Sequence, residues 1–168
     1  MIMKVMQKAV WTAALAAAVF LVSNPVFAQQ TDTASVTVTV HVNAKAKLTI
    51  DSASVDFADA DPTTFPTISA TPLNISVKAR TSTAGVVVLD AKAPDLTSGS
   101  DTITIGNITW TATGSGFNAG TMATTDSQVG TWTGSGNQSG TQTLVLANSW
   151  TYNTGTYGST ITYTLTAP

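Results

Sequence analysis

Residues 35–50 read Ser-Val-Thr-Val-Thr-Val-His-Val-Asn-Ala-Lys-Ala-Lys-Leu-Thr-Ile. Every even position is apolar (Val36, Val38, Val40, Val42, Ala44, Ala46, Leu48, Ile50), and every odd position from Ser35 to Thr49 is polar. Successive side chains of a strand point to opposite faces, so this strict period of two predicts one dry face and one wet face. The run lasts roughly three times the usual ~5–6 residues of a strand. Its composition also divides it. Valines fill the dry face as far as Val42, alanines thin it at Ala44 and Ala46, and Leu48 and Ile50 resume it. The thinning marks an expected break between an exchangeable N-terminal arm, residues 35–43, and the first strand of the body. The competing reading is one long edge strand crossing from one sheet to another within a monomer.

Upstream, Lys4 and Lys8 precede an apolar stretch from Ala9 to Val22, and Ser23-Asn24-Pro25 interrupts it. Val26-Phe27-Ala28 then puts small residues where a signal peptidase reads them, so residues 1–28 are expected to be a signal peptide and residues 29–34 a polar leader. The apolar stretch is shorter than the ~20 residues that span a bilayer, and no membrane span is expected after cleavage. The chain has no cysteine. Export without disulfides points to a secreted protein of a bacterial surface or periplasm.

Past residue 28 the chain carries five cationic side chains (Lys45, Lys47, Lys78, Arg80, Lys92) against nine aspartates and no glutamate, a net charge of −4. No basic patch is present in the sequence, so nucleic acid is not an expected partner. Threonine makes up roughly a fifth of the chain. Thr, Val and aromatic residues suit pleated, half-buried surfaces and form helices poorly.

Downstream, Ser54–Ala58 alternates briefly, Pro62, Pro66 and Pro72 mark a loop, and Leu73–Arg80 alternates again. Gly85–Leu89 is a continuous apolar run that reads as a fully buried strand. Thr102–Ile105 and Ile108–Thr111 flank Gly106-Asn107, a two-residue hairpin signal. The stretch 114–140 is rich in Gly, Ser, Asn and Thr, with one expected strand near Val129–Thr133 and flexible turns at Gly114-Ser115-Gly116 and Gly134-Ser135-Gly136. Thr143–Ala147 and Thr160–Leu165 complete eight or nine strands. The expected fold is an all-β, immunoglobulin-like Greek-key β-sandwich formed by a single domain, residues 35–168.

Chemistry-bearing residues are few. His41 is the only histidine, and it falls on the wet face of the opening run. A nucleophilic triad would have no other imidazole base, so no catalytic set is expected and the protein reads as non-enzymatic. Asp56, Asp59 and Asp61, with Asp51 nearby, are the one weak calcium candidate. Their spacing matches no EF-hand loop, and they read first as turn-forming surface aspartates. No cofactor is expected. Trp110 and Trp150 share parity with apolar neighbours and are expected in the core. Trp132, between Thr131 and Thr133, is the expected exposed platform for a sugar ring.

Two stretches, Ala84–Ala91 followed by Leu96-Thr97-Ser98-Gly99, and Gly155-Thr156-Tyr157 followed by Ile161–Pro168, resemble WxL-type surface domains of bacterial envelopes. Val86-Val87-Val88 and Tyr163-Thr164-Leu165 stand where the Trp-x-Leu signature would be. The alternating start, with Leu48-Thr49-Ile50 and Val55-Asp56-Phe57, is similar to the spore-coat-U and fimbrial-subunit group of exported β-sandwiches. The second resemblance implies a pilus- or coat-like structural subunit that assembles by β-strand complementation. In this chain Val36, Val38, Val40 and Val42 would be the inserted side chains. The first implies a module that binds cell-wall or extracellular glycan. Expected partners are therefore further copies of the chain, other envelope proteins, or cell-wall glycan.

Overall fold

The computed structural model describes residues 30–168. The expected signal peptide lies outside the described residues. The chain divides into two units, Met1–Thr39 and Val40–Pro168. In the first, Gln30–Thr39 forms no strand and is exposed throughout. The second carries all the regular structure among the described residues: β1 (Lys45–Ile50), β2 (Thr67–Ser69), β3 (Leu73–Arg80), β4 (Val86–Lys92), β5 (Leu96–Ser98), β6 (Asp101–Ile103), β7 (Ile108–Thr113), β8 (Gly120–Thr121), β9 (Ser127–Thr133), β10 (Gly136–Ala147) and β11 (Thr162–Thr166), with a single 3₁₀ turn at Ile105–Asn107.

The fold is all-β, and its antiparallel sheets pack together as a β-sandwich. The larger sheet runs β1-β3-β10-β7-β8. β2 lies beside the end of β10, and Ala70 N–H donates to the Leu144 carbonyl (2.9 Å), so β2 and β3 together flank one edge of β10. A second sheet runs β11-β4-β9, and β5 and β6 form a separate hairpin. Alternation sets the faces. Leu73, Ile75 and Val77 of β3, Leu144 and Leu146 of β10, and Ile108 and Trp110 of β7 point inward from the larger sheet. Val87, Leu89 and Ala91 of β4 meet them from the smaller one. Cross-strand pairs such as Leu144 with Trp110 and Leu48 with Val77 align these apolar rows in register.

The opening run does not form one long strand. β1 starts at Lys45, opposite Arg80, and Arg80 is the last residue of its partner β3. Residues before Lys45 form no ladder with β3, and Arg80 Nε donates to the Asn43 carbonyl instead (3.0 Å). The edge-strand reading of the whole run is thereby overturned. The short strand expected at 54–58 is absent, although Val55 and Phe57 still turn half-buried faces to the core. Gly85–Leu89 is not buried on both faces, because Val86 is 50% exposed while Val87 and Leu89 point inward.

The hairpin expected across Gly106-Asn107 does not form. A type I′ turn needs positive φ at both central residues, and neither Gly106 nor Asn107 has it. β6 instead turns back on β5 through Gly99, whose φ is 61°, and β7 pairs with β10. The Gly-rich stretch carries β8, β9 and the first half of β10, with the expected turns at Gly114–Gly116 and Gly134-Ser135, where Gly114, Gly116 and Gly134 have positive φ. Its glycines clear space for rings. A Cβ at Gly130 would lie 2.6 Å from the Trp132 ring, and Gly116, Gly120 and Gly140 are crowded in the same way by Trp132, Trp110 and Phe117.

Leu144, in the second half of β10, is 1% exposed. Leu144→Ala is expected to lower stability by about 2–5 kcal/mol through lost burial and the cavity it leaves. Val38→Ala, at a position 81% exposed, is expected to stay within about 0.5 kcal/mol of the parent. Urea unfolding of the two variants measures the contrast.

Candidate functional site

Val36, Val38, Val40 and Val42 are 86, 81, 76 and 61% exposed and belong to no strand. Valines at alternate positions of the sequence, left in water, are a concentrated apolar feature. His41 is exposed in the same run.

Within the second unit an open cleft of about 1240 Å³ lies at one end of the sandwich. Beneath it lie the buried side chains of Leu73, Leu144 and Ile108 from the larger sheet and Leu96 and Ile103 from the β5–β6 hairpin, with half-buried Ile161 beside β11. Its walls are the irregular segments 52–62 and 148–160 rather than paired strands. A sheet core is normally closed by another layer of regular structure. Here Phe57, Tyr152 and Tyr157 partly cover it from loops.

One polar contact crosses the core beside this cleft. Gln142 is fully buried on β10, between inward-pointing residues. The Tyr163 hydroxyl, from β11 of the other sheet, donates to its Oε1 at 2.5 Å. The Gln142 Nε2 has no hydrogen-bond partner among the described residues. Burial pushes the Tyr163 phenol up to about 12 from its ordinary 10.0. The parity that places Leu144 and Leu146 inward would also have placed Gln142 inward, so the signal for this contact was in the sequence.

The aspartates do not gather. Asp56, Asp59 and Asp61 are exposed along the wall of the cleft, and no group of three or more His, Cys, Asp or Glu among the described residues is placed to hold a metal ion. Asp61 Oδ1 accepts from Thr63 N–H (2.8 Å), the local turn that such a residue favours. Asp51 accepts from the Asn74 side-chain amide (2.5 Å) and backbone N–H (2.9 Å), which holds its carboxyl below the ordinary range.

The tryptophans exchange the roles expected of them. Trp132 is 9% exposed, packed edge-on to Phe117 with centroids 5.0 Å apart, and its Nε1 donates to the Ser115 carbonyl (2.8 Å). The expected sugar platform at Trp132 is therefore corrected: Gly116 and Gly130 lack the Cβ atoms that would have kept the ring out. Trp110 is buried as expected. Trp150 is 72% exposed, because β10 ends at Ala147 and the alternation that would have turned the ring inward ends with it.

No protein-family model matches this chain, and comparison with curated proteins finds no match. No helix among the described residues is long and apolar enough to cross a membrane.

Tyr163→Phe leaves Gln142 Oε1 buried without a donor and is expected to cost about 1–3 kcal/mol at neutral pH, whereas Gln142→Met combined with Tyr163→Phe should recover most of that loss. The parent's Tyr163 contribution is complete below pH 10.0 and is lost as pH rises toward about 12, since the fold favours the neutral phenol. Urea unfolding across that alkaline window should show a steeper decline for the parent than for Tyr163→Phe.

Proposed function

We propose that this chain is an exported, non-enzymatic structural subunit of a bacterial envelope that assembles by β-strand complementation. The observation that carries the reading is the run Val36–Val42: strictly alternating, valine on every dry-face position, and 61–86% exposed at those valines. Such a segment has the pattern of a strand but no partner strand among the described residues. Laid against a sheet edge of another copy, it would satisfy its backbone by ladder hydrogen bonds and bury one face in pockets. Burying a valine side chain is worth about 1.5 kcal/mol or more, so four together outweigh the cost of ordering a short segment only when most of their surface is covered.

Residues 1–28 support export through their charge and apolar pattern. The scarcity of imidazole and the absence of thiols from the sequence support a role without catalysis.

The exported chain should form assemblies whose size grows with concentration in analytical ultracentrifugation. Deletion of residues 33–43, or Val38→Asp with Val40→Asp, should leave a monomer that keeps the parent's circular dichroism. A monomeric parent at high concentration, or undiminished assembly by the deleted chain, would sink the reading.

A further inference from the structure

Trp150 and Phe65 are 72% and 54% exposed, while Trp110, Trp132 and Phe117 are buried. An aromatic ring carries a large apolar area into water when left outside. These two are also held in place. The Trp150 Nε1 donates to Thr63 Oγ1 (3.1 Å), two residues from Phe65. Asn148 clasps the two loops together: its Nδ2 donates to the carbonyls of Ala60 (2.9 Å) and Phe65 (3.0 Å), and its backbone N–H donates to Pro66 (2.8 Å). Asp61 fastens the first loop through Thr63, Thr64 and Phe65, and Ser149 fastens the second through Thr151. The rings are thus presented by loops ordered before any ligand arrives, which lowers the entropic cost of binding.

We propose that Trp150 and Phe65 form a stacking platform for a polymer of β-linked pyranose rings. The face of an aromatic ring is electron-rich and attracts polarised hydrogens. A pyranose whose hydroxyls are equatorial offers a face of axial C–H groups that meets it flat. With the indole N–H already committed to Thr63, the ring faces are what remains for a ligand. The surroundings suit sugar hydroxyls: Asp59, Asp61, Thr64 and Ser149 supply acceptors and hydroxyls close by in the same two loops. Past residue 28 the cationic side chains stand at 45, 47, 78, 80 and 92, none of them in these loops, so a polyanion has no counter-charge there. The platform uses none of the valines at 36–42; Trp150 stands in the wall of the cleft.

The test is co-sedimentation of the exported chain with insoluble cellulose, chitin and purified peptidoglycan, with acrylamide quenching of tryptophan emission as a second readout. At least one polymer should retain the parent and protect its exposed tryptophan from quenching. Retention by cellulose identifies a plain glucose polymer, and retention by chitin or peptidoglycan alone identifies N-acetylated sugars. Trp150→Ala should weaken retention at least tenfold, Phe65→Ala should weaken it severalfold, and Trp150→Tyr should restore most of it, all with the parent's unfolding midpoint. Retention by none of the polymers overturns the proposal, and so does equal retention of Trp150→Ala. If Trp150→Ala changes self-association and not sedimentation, the ring is a protein contact and the proposal falls.

Discussion

The backbone ladder along β10 is the constraint on which the rest of the structure depends. A buried peptide group must have a hydrogen-bond partner, and β10 lies inside the larger sheet with both edges occupied. β3 and β2 take one edge, and β7 takes the other. That arrangement fixes which face of each neighbour is inward, since a slip of one residue would turn Leu144, Leu146 and their partners to solvent. It also brings Gln142 into the core, where only Tyr163 from the opposite sheet satisfies its oxygen.

The same ladder explains where order stops. β3 ends at Arg80, so β1 has nothing to pair with before Lys45, and the valine run ahead of it is left exposed. β10 ends at Ala147, so the chain leaves the ladder before Trp150. The exposure of the valines and of Trp150 thus follows from the places where partner strands run out.

Between these limits the two ends of the second unit are built differently. Around Trp132 and Phe117, glycines admit rings into a dense core. At the other end, irregular segments close an aliphatic cleft, and stitched loops hold two rings in water. The first end is closed by packed rings, and the other keeps Trp150 and Phe65 exposed.

Much of the fold was legible in local pattern. Period two placed Leu73, Ile75 and Val77 on one face, and the thinning at Ala44 and Ala46 fell where β1 begins. Composition excluded disulfides and predicted an all-β chain. Pairing was not legible, because it joins residues far apart along the chain: Gly106-Asn107 looked like a hairpin, yet β7 found β10. Trp132 looked exposed because its neighbours are threonine and glycine, and only the packed structure shows those glycines making room for its ring. The sequence by itself determined which side chains share a face, since that depends on neighbours two residues apart. Tertiary structure alone decided which faces were covered and which segments lacked a partner, since burial and strand pairing depend on what the rest of the chain brings alongside.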